Sequence, residues 1–222
     1  MCGRYSSTKS DSDIAKEFKV EEVVGEEPEA SWNVAPTQTR RVVLEHAPKD
    51  AEDRQAAPRV LRSARWGLVP SWAKDVKIGS RLINARSETI TEKPSFRAAS
   101  ARRRCLVPAD GYFEWEKIDG RKVPQFLYRP DEQLLSFAGL YELWPDPERG
   151  EDDPDRWMWS YTIITRTAPD AVGHIHDRSP VLVPPDLRAD WLNPSLVDPE
   201  QVKELLASIP EPLLSPGRYP VP

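Results

Sequence analysis

Gly111-Tyr112-Phe113-Glu114-Trp115-Glu116-Lys117-Ile118, then Asp119-Gly120, then Arg121 through Tyr128, is the stretch whose reading decides the fold. Asp-Gly supplies the two positive φ angles of a two-residue turn, so the flanking runs are predicted to pair as an antiparallel hairpin. Further strands are predicted at 41–45, 59–66, 81–85, 134–140, 160–165 and 180–183, where short apolar runs end in polar residues. Helices are few. Ile14 and Phe18 stand four apart behind a Ser/Asp cap, predicting a short helix over 10–20. Pro94 opens a second, running through Phe96 towards Arg103. A cap at Asp198, a first-turn Pro199 and Gln201 open a third, through Leu206. The acidic stretches 21–29 and 145–155 and the polar, Ala/Pro-rich stretch 46–58 read as loops. The expected architecture is α+β: one domain over 1–222, mainly antiparallel strands in a barrel-like or two-sheet core, with peripheral helices.

Composition agrees. The chain has 222 residues, 39% hydrophobic and 30% charged, which excludes a collagenous or disordered chain. No run approaches the roughly 18 to 20 apolar residues of a membrane-spanning helix. Pro, at 23 residues, is about twice its average usage, and with 8 Trp and only 10 Gly it favours short strands and rigid loops. Two Cys and no leading apolar segment point to a cytoplasmic protein with free thiols. The net charge is −5, yet between Arg54 and Arg104 thirteen Lys/Arg meet only Asp75, Glu88 and Glu92. A cationic middle in an acidic chain fits a local anion-binding face, and equally a basic surface paired with the acidic segments.

Four segments could carry chemistry. Once Met1 is removed, Cys2 offers an α-amine and a β-thiol on adjacent carbons; the amine, with a reference pKa of about 8, attacks aldehydes, and the thiol can then close a thiazolidine ring. A second-position Cys can also be incidental. In the hairpin, alternation puts Tyr112, Glu114 and Glu116 on one face and Phe113 and Trp115 on the other. A Glu enclosed by aromatics is desolvated and suited to proton transfer near neutral pH; an edge-strand Glu paired with Lys117 or Lys122 fits the same pattern. In Gly173-His174-Ile175-His176-Asp177-Arg178 the two His share a face, but without a C-x-x-C pair they read as an acid/base beside an anion clamp, not as a metal site. In Leu82-Ile83-Asn84-Ala85-Arg86-Ser87-Glu88 an apolar run breaks into an amide that can orient a substrate and a guanidinium that can hold phosphate bidentately.

Together these segments resemble the SOS-response-associated peptidase (SRAP) family, whose members crosslink covalently to abasic sites in single-stranded DNA. The resemblance runs in order through Met1-Cys2-Gly3-Arg4-Tyr5, Trp32-Asn33-Val34-Ala35-Pro36-Thr37, Arg65-Trp66-Gly67-Leu68-Val69-Pro70-Ser71-Trp72, Ile83 to Glu88, Cys105 to Trp115, Phe137-Ala138-Gly139-Leu140-Tyr141 and Ile175 to Arg178. It implies the SRAP fold and four catalytic residues: Cys2 as nucleophile, Asn84 positioning the sugar and the amine, Glu114 moving protons during imine formation and ring closure, and His176 opening the abasic sugar. It further implies that Arg4, Arg86 and Arg178 hold phosphates while Pro36, Trp72, Trp115 and Thr165 line the DNA track, with no metal or cofactor and a monomer on single-stranded DNA.

Two departures stand out. Family members continue past the region of Tyr219-Pro220-Val221 with a Ser/Arg/Val/Asn-rich segment, whereas this sequence ends at Pro222; and Ser179 stands where a larger residue is common. Three readings remain: covalent abasic-site capture with associated lyase chemistry, a cysteine peptidase using Cys2 with His176 as base, and a non-covalent single-strand binder for which Cys2 is irrelevant.

Overall fold

The structure is a computed structural model and describes residues 2–45, 57–168, 175–217 and 221. The predicted hairpin is its second sheet's centre. Strands β1 (Arg4–Ser7), β3 (Ser31–Val34), β8 (Gly111–Ile118), β9 (Arg121–Tyr128) and β13 (Ser215–Gly217) lie in the order β13-β9-β8-β1-β3. At the hairpin tip Asp119 and Gly120 have φ of 49° and 78°, the left-handed pair that the turn requires.

The other sheet is built from β2 (Glu22–Val24), β4 (Thr39–Glu45), β5 (Arg59–Trp66), β6 (Asn84–Arg86), β7 (Arg104–Ala109), β10 (Leu135–Pro145), β11 (Trp157–Thr167) and β12 (Arg178–Pro180). Its order is β12-β11-β10-β7-β4-β5-β2, and a parallel pairing of β11 with β5 joins Ser160 to Arg65 and Tyr161 to Trp66. That pairing closes β11-β10-β7-β4-β5 into a five-stranded barrel, so the expected barrel and the expected second sheet are both present.

Alternation along the barrel strands sorts the core. Val42, Leu44, Cys105, Val107, Tyr161 and Ile163 pack on one side; Val43, Leu61, Leu106 and Ile164 pack on the other. The second face is covered by α1 (Asp11–Phe18), α2 (Arg97–Arg102), α3 (Arg188–Leu192) and α4 (Pro199–Ser208). Two helices begin where their caps were read. Ser10 Oγ accepts from Asp13 N, and Asp198 Oδ1 accepts from Glu200 and Gln201 N at 3.0 Å each. Trp191 of α3 donates its indole N–H to the Cys105 carbonyl at 2.8 Å, fastening that helix to β7. No described helix is long and apolar enough to cross a membrane.

Several expectations are corrected. The acidic stretch 21–29 contains β2, which pairs in parallel with β5; backbone bonds carry an edge strand whose acidic side chains point to water. The strand expected over 81–85 begins only at Asn84, as β6, after a 3-10 turn over Val76–Arg81; Leu82 N donates to Gly79 O at 2.9 Å and finishes the turn. Both long strands run eleven residues, well past the expected 134–140 and 160–165, because they pair with each other from Gly139–Ile163 to Pro145–Trp157. The last predicted strand starts at Arg178, before 180–183. Of the loop expected over 46–58, all but the last two residues lie outside the described residues.

Part of the cationic middle is consumed inside the protein. Arg59 pairs with Glu45 at 2.8 Å and Arg103 with Glu142 at 2.7 Å. Arg104 is buried and donates to the carbonyls of Trp191, Ser100 and Ala101, while Arg62 lies 3.4 Å over the Trp159 ring. Lys74, Lys77, Arg81, Arg86, Lys93, Arg97 and Arg102 stay exposed. The cations left for an anion-binding face therefore lie on the loop before β6, at the end of β6 and along the segment that runs into α2.

Candidate active site

Cys2 lies where the two sheets meet. It leads into β1, which is hydrogen bonded to β8 with Tyr5 opposite Tyr112 and Arg4 opposite Phe113. Cys2 is fully buried, and its carbonyl accepts a 2.8 Å bond from Asn84 Nδ2. A second tie between the sheets lies below it: the Tyr5 and Tyr161 hydroxyls are 2.6 Å apart.

Asn84 is held there by β11. Strand β6 pairs with it in parallel, setting Asn84 beside Ile163, Ala85 beside Ile164 and Arg86 beside Thr165. Alternation turns Ala85 into the core and leaves Arg86 exposed. The chain reaches β6 through a tight crossing: Gly67 has φ of +115°, and a Cβ there would lie 2.5 Å from the Gly79 carbonyl oxygen. That crossing presents the loop carrying Trp72, which is exposed, while the indole of Trp144 donates to Ala73 O at 2.7 Å and pins the loop's next residue.

Glu114 enters from β8. This strand is internal to its sheet, between β9 and β1, so the alternative of an edge-strand glutamate does not apply. Lys117 and Lys122 face each other at the exposed far end of the hairpin. Of the two same-face glutamates, Glu116 accepts the Gln125 amide at 2.7 Å, and Glu114 sits deeper, only 3% exposed. Burial raises the Glu114 pKa above the ordinary carboxyl range, partly offset by the nearby His176. Burial, reinforced by the Glu114 charge, likewise raises the Cys2 thiol.

The sign of the Glu114 shift gives a prediction. The folded carboxyl keeps its proton to higher pH than the unfolded one, so its contribution to stability is lost as pH rises from the ordinary carboxyl range through the raised value. Glu114→Gln removes this dependence. Thermal midpoints measured from acid to neutral pH should therefore shift in favour of the variant as pH rises; a constant gap would contradict the assignment.

His176 precedes β12, on the opposite flank of β11 from β6, where Thr167 pairs with Arg178 and Thr165 with Pro180. His176 Nδ1 lies 3.0 Å from the Arg178 backbone N–H and 2.8 Å from Asp177 Oδ1. An unprotonated Nδ1 accepts from Arg178; a protonated one donates to Asp177. Both contacts meet the ring at the same nitrogen.

Arg178, 12% exposed, forks onto Glu88 at 2.6 and 2.9 Å and donates to the Thr165 carbonyl at 2.6 Å. Thr165 is buried, and its link to the surface runs through Arg178. Arg4 Nη1 reaches Asn33 Oδ1 at 3.4 Å, and Pro36 and Trp115 are half-buried. Thus Cys2, Asn84, Glu114 and His176 come together, with the arginines around them. Sequence reasoning had assigned no role to Glu88, which lies 90 positions from its partner, or to Asp177, which adjacency to His176 could have flagged. His174 lies outside the described residues.

The comparisons concur. The family model described as SOS response associated peptidase (SRAP) matches residues 1–221. The abasic site processing protein YoqW of Bacillus subtilis is 38% identical over 208 residues, covering 93% of this chain and 86% of its own. The abasic site processing protein HMCES of Xenopus tropicalis is 31% identical over 221 residues, covering 84% of this chain and 64% of its own. A crystal structure of a protein from Bacteroides thetaiotaomicron superposes with a TM-score of 0.76 at 26% identity, over 92% of this chain and 86% of that one. With the family model matched from end to end and the motif residues gathered around Cys2, this chain belongs to the SRAP family.

Proposed function

We propose that this protein captures abasic sites in single-stranded DNA covalently, through Cys2. The observation that carries the reading is the Asn84 bond to the Cys2 carbonyl, in a pocket walled by the buried Glu114. An N-terminal aminothiol residue held against an amide and a proton-retaining carboxyl has the groups that aldehyde capture needs. The names of the relatives support the same substrate.

With Met1 removed, the Cys2 amine adds to the C1′ aldehyde of the opened sugar and gives a carbinolamine. Loss of water makes an imine. The Cys2 sulfur then bonds C1′, its proton passing to the nitrogen, and the thiazolidine closes; the net change is the release of one water. A peptidase would use only the thiol, and would need it activated; burial and Glu114 push the Cys2 thiol the opposite way. Intact mass after incubation with a single-stranded oligonucleotide carrying one abasic site tests the reading. The expected product is the protein lacking Met1 plus the oligonucleotide less one water. Absence of an adduct, or an adduct retaining Met1, overturns it.

The track for DNA would run over exposed Trp72 and Arg86, with bases stacking on the indole and phosphates on the cations. Arg86→Ala should lower the slope of log affinity against log salt by roughly 0.7 for a single strand. Glu88→Gln should do the reverse and tighten binding, because it releases Arg178 from its carboxylate. Titrations of an oligonucleotide over a range of salt read both, and an unchanged slope removes the residue concerned from the contact surface.

A further inference from the structure

One buried polar group in this pocket has no role in the chemistry above. Tyr112 stands two residues before Glu114 on the same face of β8 and directly opposite Tyr5 of β1, and it is 1% exposed. Its ring packs edge-on against Phe137 with centroids 5.9 Å apart. Its hydroxyl is buried and makes no hydrogen bond among the described residues. Such a group is costly, since a buried donor without an acceptor forfeits its bond to water and gains nothing in return. The nearby Tyr5 and Tyr161 satisfy each other, so an unmatched tyrosine is not a general property of this core. The Asn84 Oδ1 atom is likewise buried and unmatched, so the residues around Cys2 hold a donor and an acceptor with capacity left for a ligand.

Resting on covalent capture through Cys2, we propose that the Tyr112 hydroxyl is a further catalytic group, donating a hydrogen bond to the oxygen on C1′ of the abasic sugar. The reaction fixes where that oxygen must be. Both the nitrogen and the sulfur of Cys2 bond to C1′, so C1′ is placed against Cys2, and the substituent that remains to be bound and expelled is its oxygen. In the carbinolamine the C1′–O bond breaks as the nitrogen lone pair forms the C=N bond. The oxygen leaves as water, taking its second proton from Glu114, and the iminium and the Glu114 carboxylate remain. Tyr112 holds the departing oxygen and transfers no proton. Burial, and then the charges of Cys2 and Glu114, keep its hydroxyl protonated far above the usual range, which suits a fixed donor and not a base.

The test compares wild type with Tyr112→Phe on two single-stranded oligonucleotides, one with an authentic abasic site and one with a tetrahydrofuran site that lacks the C1′ oxygen. The variant should form adduct with the first on the order of 10²-fold more slowly, the scale of losing one such donor. It should bind the second as wild type does, with a thermal midpoint no lower. Equal crosslinking rates for variant and wild type would overturn the role of Tyr112 while leaving covalent capture intact. A lowered midpoint with weaker tetrahydrofuran binding would mean that the hydroxyl is structural, which also overturns it. No adduct from wild type would defeat covalent capture itself. Difluorotyrosine at position 112 keeps the ring and lowers the hydroxyl pKa; its crosslinking should fall further behind wild type as pH rises, and a constant ratio of the two rates across pH would again refute the proposal.

Discussion

Cys2→Ala is expected to eliminate the stable adduct altogether while leaving DNA binding and the fold in place. Alanine keeps the amine, so imine formation continues and borohydride should trap a reduced conjugate. What disappears is the borohydride-independent product, because no sulfur remains to close the ring. Cys2→Ser tests the same step with a poorer ring-closing atom. Cys105 is the control: it is buried in β7, its thiol pushed up by burial, and its carbonyl holds Trp191. Denaturing gels of both variants with abasic single-stranded DNA decide the matter. Loss of the adduct in Cys105→Ala but not in Cys2→Ala would reverse the assignment.

His176→Ala and Glu114→Gln should each slow crosslinking by roughly 10²- to 10⁴-fold, the usual range for one general acid or base. The proposed mechanism assigns them to different steps. The abasic sugar is mostly a closed hemiacetal, and the proposed mechanism gives its opening to His176, whose Nδ1 meets the Arg178 N–H and Asp177. Expelling water from the carbinolamine falls to Glu114, which burial keeps protonated to higher pH. A pre-opened aldehyde analogue should therefore rescue His176→Ala far more than Glu114→Gln. The pH profile carries a second signature: the dehydration rate should decline as pH rises through the raised Glu114 value, and that decline should vanish in Glu114→Gln. Equal rescue of both variants would refute the division of labour.

Much of this was legible in local chemistry. Asp119-Gly120 permits few backbone shapes, and the hairpin followed; Ser10 and Asp198 offer side-chain acceptors at helix starts, and the helices followed. Strand β2 was not legible, because Glu21 and Glu22 say nothing of the β5 backbone that pairs with them. Closure of the barrel was equally invisible, since the meeting of Tyr161 with Trp66 joins segments nearly a hundred residues apart. The same holds for the site. Cys2, Asn84, Glu114 and His176 could be picked out as candidates from residue type and motif, but the pairing of Glu88 with Arg178 depends on tertiary placement. So does the isolation of the Tyr112 hydroxyl, because a sequence shows which atoms can hydrogen bond and not which ones are left without an acceptor.

If Cys2 is the capture reagent proposed above, its complete burial bears on how long the protein stays usable. An aminothiol that reacts only once is exhausted by any electrophile that reaches it first, and cells contain peroxides and small carbonyl metabolites in abundance. Oxidants attack the thiolate, and a thiol whose ionisation is suppressed by burial presents almost none of it. On the proposed function, the burial of Cys2 acts as packaging for a single-use reagent, keeping it fresh through storage, with a DNA strand laid across exposed Trp72 as the delivery route for the intended aldehyde.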